Sequence, residues 1–129
     1  MVVVDTSIWI DFFQNPETVY QERLEDLIRE NNRAVICGVV LQEILQGIRD
    51  NKSYEVTKQR LSRLPFLDTS RETYLRASSL YRILRRKGIA IPPVDTTIAA
   101  VAIQNRLPLF TSDKHFTTIS RHSKLILYK

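Results

Sequence analysis

Short apolar runs alternate along the chain with longer stretches in which apolar residues recur at helical spacing. The apolar runs predict strands at residues 2–4, 34–37, 65–70, 107–111 and 124–128. The helical spacing predicts helices within residues 17–31, 40–48, 53–64, 71–87 and 95–105. Short, wholly apolar strands that alternate with helices are typical of a parallel sheet covered on both faces. The pattern therefore predicts an α/β doubly wound domain.

Local signals indicate where some of these helices begin and end. Thr69 and Glu72 fit a capping box at the start of the 71–87 helix, and Gly88 is its natural stop. The prolines at 92 and 93 argue against a helix immediately before Asp95. Asp95 is therefore predicted to be the N-cap of the 95–105 helix.

Composition narrows the class of protein. A chain of 129 residues predicts one domain, spanning 1–129, that is large enough to bury a core without disulfides. The apolar fraction of 43% and the charged fraction of 26% are ordinary for a soluble globular protein. We see no secretory signal and no apolar run of the roughly 18 residues that a membrane span needs. Cys37 is the only cysteine, so an intramolecular disulfide is excluded and a cytoplasmic location is expected.

Charge is distributed unevenly. Residues 1–72 carry nine Lys or Arg and twelve Asp or Glu, whereas residues 73–129 carry ten Lys or Arg and only two acids, Asp95 and Asp113. A basic half indicates a polyanionic partner, usually nucleic acid, although a solvated basic surface is the alternative. Arg82, Arg85 and Arg86 share one face of the 71–87 helix and are candidate contacts to phosphate.

Three aspartates stand where strands end or a helix starts. Asp5 follows the first apolar run, and Asp113 follows the run at 107–111 after two hydroxyl residues. Each aspartate is also a good cap or turn residue, and that alternative stays open. Because the carboxyl ends of parallel strands meet at one edge of a sheet, we expect Asp5 and Asp113 there, with Asp95 at a helix start on the same edge.

Glu43 is a fourth candidate, inside the 40–48 helix. It lies roughly opposite the apolar stripe of that helix, so the simple interpretation is a glutamate that faces solvent. Val39, Val40 and Gly47 on the same side are not typical of a fully solvated face. They indicate a groove beside Glu43.

Converging carboxylates repel one another unless a cation lies among them, and ligation by oxygen alone selects Mg²⁺ or Mn²⁺. The two histidines, His115 and His122, are seven residues apart, which fits no zinc-binding spacing. His115 is expected to be a surface or helix-packing residue. The chain has neither the serine-hydrolase motif nor a glycine-rich phosphate loop. A carboxylate-held metal beside a basic surface indicates phosphodiester hydrolysis.

Four segments now show a resemblance to a known family. They are "VVVDTSIWIDFF" (2–13), "VVLQEILQGI" (39–48), "PPVDTTIAAVAI" (92–103) and "LFTSDKHF" (109–116). In this order they resemble the four acidic motifs of PIN-domain ribonucleases, and they are most similar to VapC-type toxins of toxin–antitoxin pairs. The resemblance is collinear and covers nearly the whole chain.

The resemblance implies a single PIN domain with a three-layer α/β/α fold around a central parallel sheet. It places Asp5, Glu43, Asp95 and Asp113 in a Mg²⁺- or Mn²⁺-dependent acidic pocket, with Asp5 and Asp95 foremost as direct ligands. Thr6 and Ser112 match positions that often carry small polar residues beside that pocket. It further implies a homodimer, an RNA substrate such as tRNA, and a VapB-like antitoxin whose C-terminal segment blocks the groove.

Two alternatives remain open from the sequence. One is a PIN nuclease with a housekeeping role in RNA processing and no antitoxin. The other is a non-catalytic module such as a phosphoacceptor receiver domain, which tends to pair acids after its first strand and to carry a lysine after a late strand. Asp5 has no acidic neighbour and Lys114 directly follows Asp113, so the receiver pattern is a poor match.

Overall fold

A computed structural model describes residues 1–14 and 18–129 of the chain. The strands are β1 (Val2–Val4), β2 (Ala34–Cys37), β3 (Phe66–Leu67) and β4 (Leu109–Phe110). The helices are α1 (Thr6–Gln14), α2 (Val19–Arg29), α3 (Gly38–Gln46), α4 (Asn51–Leu61), α5 (Arg71–Arg86), α6 (Pro93–Gln104) and α7 (Lys114–Arg121). Within these described ranges, no helix is both long and apolar enough to cross a membrane.

The sheet is parallel and has the strand order β3-β2-β1-β4. Val2, Val3 and Val4 are at most 1% exposed, because β1 lies between β2 and β4 and is covered on both faces. Val3 pairs with both Val35 and Leu109. Seven helices flank the sheet in the part of the chain that is described, which confirms the predicted three-layer α/β/α fold.

The core extends from the sheet into the helices on either side. α6 contributes small and branched side chains, and α5 packs against it. α1 packs against α2 and α3, and α7 packs against α6. The buried aromatic residues of this core are Trp9, Phe110 and Phe116. Since α1, α6 and α7 each begin near the carboxyl end of β1 or β4, this packing decides which side chains meet at that edge of the sheet.

Several predicted element ends are confirmed. The 71–87 helix is α5, and Gly88 stops it with a positive φ of 78°, a conformation that glycine adopts without strain. The helix predicted within 17–31 is α2, and its first predicted residue, Glu17, lies outside the described residues. The strand predicted at 124–128 is reduced to one bridge between Leu127 and Leu109.

Two predicted helix starts are wrong. The capping box of α5 is formed by Ser70 and Thr73, one residue later than the predicted pair. α6 begins at Pro93, so Asp95 lies in its first turn and is not its N-cap. Proline is well suited to the first helical position because the N–H that it lacks would have no partner within the helix there.

The sequence patterns also missed two helices, α1 and α7. α1 is apolar on most of its circumference, with Ile8 and Trp9 buried and Ile10 exposed, so it shows no clear stripe. α7 is only eight residues long. Both helices begin directly after an aspartate, Asp5 or Asp113, and Asp113 is the N-cap of α7.

Candidate active site

Asp5 stands at the junction of β1 and α1. Its side chain is 4% exposed, and its backbone N–H donates to the Phe110 carbonyl across the sheet at 2.9 Å. Its Oδ2 accepts hydrogen bonds of 2.8 Å from the hydroxyls of both Ser7 and Thr111. Burial raises the pKa of the Asp5 carboxyl from its ordinary value, and the hydroxyl hydrogen bonds offset part of that shift.

These two hydroxyls are oriented by the chain around them. Ser7 Oγ accepts the backbone N–H of Ser112 at 3.2 Å, and Thr111 Oγ1 accepts the backbone N–H of Asp113 at 3.0 Å. Because an ionised carboxylate can only accept hydrogen bonds, each hydroxyl donates its own proton to Asp5. The two hydroxyls therefore join the end of β1 to the segment that follows β4.

Asp95 and Asp113 meet around the imidazole of His115. His115 Nδ1 lies 2.8 Å from Asp95 Oδ2 and 3.5 Å from Asp113 Oδ1. Asp113 Oδ1 also accepts the backbone N–H of His115 at 2.9 Å, as expected of the residue that caps α7. One ligand atom from each of the three residues lies within 4.8 Å of the other two.

The carboxylates influence one another electrostatically. Partial burial raises the pKa of Asp95, the hydrogen bond from His115 lowers it, and the negative charges of Asp113 and Asp5 raise it again. The structure therefore brings Asp5, Asp95 and Asp113 close enough for their charges to interact.

Glu43 enters the same neighbourhood from α3. The Thr6 hydroxyl, in the first residue of α1, donates to Glu43 Oε1 at 2.7 Å. Glu43 is half-buried and lines a groove of about 480 Å³ between α1, α3 and the start of α4, together with Ile10, Phe13 and Gly47. Glu43 is thus joined to the first residue of α1, Thr6, which follows Asp5 directly.

The remaining predicted residues are Ser112 and three arginines of α5. Ser112 is exposed and reaches the pocket through its backbone N–H. Arg82 lines a second groove, of about 350 Å³, with Pro93, Thr96 and Thr97 at the start of α6. Arg85 and Arg86 are exposed in the last turn of α5.

Sequence reasoning missed three residues of the pocket, namely Ser7, Thr111 and His115. The hydroxyls next to Asp5 and Asp113 in "DTS" and "TSD" were a usable signal, because hydroxyls that flank a buried carboxylate are ready donors. His115 was expected at the surface or in helix packing. His115 is exposed, as expected, but its ring also contacts Asp95, 20 positions away in sequence, which the sequence did not indicate.

The donor set of the pocket fits a divalent cation. In the described ranges no Lys or Arg forms an ion pair with Asp5, Glu43, Asp95 or Asp113, although two of these groups have raised pKa values. A cluster of carboxylates that has an imidazole but no Lys or Arg beside it is stabilised by a bound cation, and carboxylate oxygens are the ligands that Mg²⁺ and Mn²⁺ prefer.

Comparison with known proteins agrees with this geometry. The family model described as "PIN domain" matches residues 2–121. "Ribonuclease VapC1" of Methanocaldococcus jannaschii is 32% identical over 89% of this chain and 78% of its own. "Ribonuclease VapC11" of Mycobacterium tuberculosis is 28% identical over 97% of this chain and 96% of its own. The crystal structure of VapBC2 from Rickettsia felis bound to a promoter DNA fragment superposes with a TM-score of 0.82 at 27% identity, covering 99% of this chain and 98% of the other.

Proposed function

The chain belongs to the PIN-domain family and, within it, to the VapC ribonucleases, and on this premise we propose that it is the endoribonuclease toxin of a VapBC-type toxin–antitoxin pair. The observation that carries the proposal is the convergence of Asp5, Asp95 and Asp113 at the carboxyl edge of β1 and β4, with Glu43 held beside them. We further propose that one PIN domain, residues 1–129, carries the activity.

We assign the metal to Mg²⁺ or Mn²⁺, held by Asp5, Glu43, Asp95 and Asp113. When bound, such an ion supplies a Lewis acid that makes water a better nucleophile and offsets negative charge at the phosphate. Asp5 is fixed for this role by the Ser7 and Thr111 hydroxyls, which leave its other oxygen outside that pair of hydrogen bonds.

Other residues of the chain hold and orient the substrate in this proposal. Thr6 sets the direction of the Glu43 carboxylate, so that Glu43 lies at the mouth of the groove beside α1. Arg82, Arg85 and Arg86 provide positive charge at the end of α5 for contacts to the RNA backbone. Acting on cellular RNA, tRNA among the candidates, the protein would work in the cytoplasm.

We also propose a VapB-like antitoxin as partner and a homodimer as the active assembly. Support for the antitoxin comes from the VapBC assembly of Rickettsia felis, which matches this fold over nearly its whole length. The groove beside Glu43 is open to a peptide segment that would block access to the four carboxylates.

Analysis of the cleavage products tests the chemistry. If the attacking nucleophile is water, the protein should cut RNA without forming a 2′,3′-cyclic phosphate and should tolerate a single 2′-deoxy substitution at the cleaved nucleotide. A cyclic phosphate product, or complete protection by the 2′-deoxy substitution, would show attack by the 2′-hydroxyl and would contradict the proposal.

Induced expression in a bacterial host tests the toxin role. Growth should stop with the wild-type protein, continue with Asp95→Asn, and recover when the short open reading frame beside the gene is expressed as well. A housekeeping nuclease would show no neighbouring antitoxin gene, and its toxicity would not be relieved in this way.

A further inference from the structure

We infer that His115 is a nitrogen ligand of the divalent cation and that it shifts the preference of the pocket from Mg²⁺ toward Mn²⁺. The inference rests on the proposed metal-dependent function of this pocket and adds to it a ligand that the four acidic residues do not include. It starts from the position of one ring nitrogen, His115 Nδ1, between Asp95 and Asp113.

The distances suit a shared ion. In an octahedral site with metal–ligand distances of about 2.1 Å, neighbouring ligand atoms are about 3 Å apart. His115 Nδ1 is 2.8 Å from Asp95 Oδ2 and 3.5 Å from Asp113 Oδ1, and one ligand atom from each residue lies within 4.8 Å of the others. The three side chains thus already have the spacing of atoms that surround one cation.

The backbone directs the imidazole toward the pocket. The N–H of His115 donates to the Asp113 carboxylate that caps α7, which places His115 in the first turn of the helix. The next residue, Phe116, is fully buried and anchors that turn in the core. The His115 side chain itself is 47% exposed, so an ion can reach it from solvent.

Coordination requires a neutral ring with a free lone pair on Nδ1. In the metal-free protein Nδ1 serves Asp95 as a hydrogen-bond donor at 2.8 Å. When a cation takes the place of that hydrogen bond, Nδ1 gives its proton to water and Nε2 takes a proton from water, so the ring stays neutral and changes tautomer. Asp95 then exchanges a hydrogen-bond donor for a cation.

The nitrogen donor has a consequence for the choice of metal. Mg²⁺ favours oxygen ligands and retains its water, whereas imidazole binds transition metals well. A pocket of carboxylates and one imidazole should therefore favour Mn²⁺ over Mg²⁺ more than a pocket of carboxylates alone. If His115 only held Asp95 in place, its removal would weaken the binding of both ions to the same extent.

Electron spin-echo spectroscopy of Mn²⁺ bound to the full chain tests the inference directly, because a coordinated imidazole nitrogen produces ¹⁴N modulation. Wild type and His122→Gln should both show the modulation, and His115→Gln should lack it. His122 is a matched control, since it is the other histidine of the chain and contacts Lys87 rather than an acidic residue. Titrations with each ion accompany the spectra, and His115→Ala serves as a second variant.

We expect His115→Gln to weaken Mn²⁺ binding by about tenfold or more, because loss of even a residue that only hydrogen-bonds to a metal ligand lowers metal affinity by about 10- to 100-fold. The Mg²⁺ affinity of the variant should stay within about twofold of wild type. Mn²⁺ bound without ¹⁴N modulation, or an unchanged ratio of the two affinities, would overturn the role of His115 and leave the carboxylate site standing. Failure of wild type to bind either ion would overturn both this inference and the proposed metal-dependent function.

Discussion

The Thr6 hydroxyl donates to Glu43 Oε1 at 2.7 Å and so links the first residue of α1 to the middle of α3. Thr6 follows Asp5 directly, and the two residues therefore send one carboxylate and one hydroxyl to the same edge of the sheet. Glu43 is not part of the close cluster of Asp95, Asp113 and His115. Its contact with Thr6 is what joins it to the pocket.

Replacement of Thr6 by valine tests the contact. Valine preserves the branched shape but cannot donate to Glu43, so we expect the rate of RNA cleavage to fall by about tenfold through a looser carboxylate. Thr6→Ser keeps the hydroxyl and should retain most of the activity. Cleavage rates measured over a range of metal concentrations check this, and equal rates for the two variants would show that the contact is dispensable.

Asp5→Asn should stabilise the metal-free protein at neutral pH. The folded-state pKa of Asp5 is raised above its ordinary value of 3.8, so stability that depends on the protonated form is complete below that value and is lost as pH rises through the folded-state pKa. The variant has no charge to bury there. In urea unfolding with EDTA, the free energy of unfolding of Asp5→Asn should exceed that of wild type by an amount that grows from about pH 4 upward. A difference that stays constant with pH would refute the burial of this charge.

Added metal should reverse that order. A cation that binds only the folded wild type stabilises it by about 2.7 kcal/mol at a concentration 100 times its Kd. Asp5→Asn lacks a ligand and should gain much less. Thermal unfolding with and without Mn²⁺ measures the difference, and equal gains for the two proteins would exclude Asp5 as a ligand.

The arginines at the end of α5 are expected to contribute to the affinity for RNA rather than to the rate of the cleavage step. The double variant Arg85→Ala, Arg86→Ala should weaken RNA binding for all sequences and should reduce the salt dependence of the affinity by about two phosphate contacts. Arg29→Ala with Lys58→Ala removes the same charge from surface ion pairs on α2 and α4 and serves as the control. Equal losses for the two double variants would indicate only a net-charge effect.

Phe116 should be important for stability because it anchors α7. Its side chain is fully buried, so Phe116→Ala is expected to lower the free energy of unfolding by about 3–5 kcal/mol. Because α7 carries His115 and is capped by Asp113, the variant should also lose metal affinity at temperatures where it stays folded. Chemical denaturation and metal titration check the two effects, and unchanged metal affinity would show that the α7 start is held independently of the core.

The sequence was most informative where local chemistry decides the structure. Val2–Val4 is a run of β-branched residues that favours a buried strand, and the strand brings Asp5 to the edge of the sheet. The start of α6 was predicted too late in the chain. Proline disrupts the interior of a helix but is well suited to its first position, where Pro93 lies. The role of His115 depends on the tertiary contact with Asp95, which no local pattern reveals.

The central claim is that the four carboxylates hold a cation that this protein needs to cleave RNA. Single-turnover cleavage of RNA by wild type, Asp95→Asn and the control Asp68→Asn, in which the same change is made at an exposed residue, tests it most directly. We predict that EDTA stops wild type and Asp68→Asn, that Mn²⁺ or Mg²⁺ restores both, and that Asp95→Asn is slower by at least about 100-fold with either ion. Cleavage that continues in EDTA, or at the wild-type rate in Asp95→Asn, would contradict the claim.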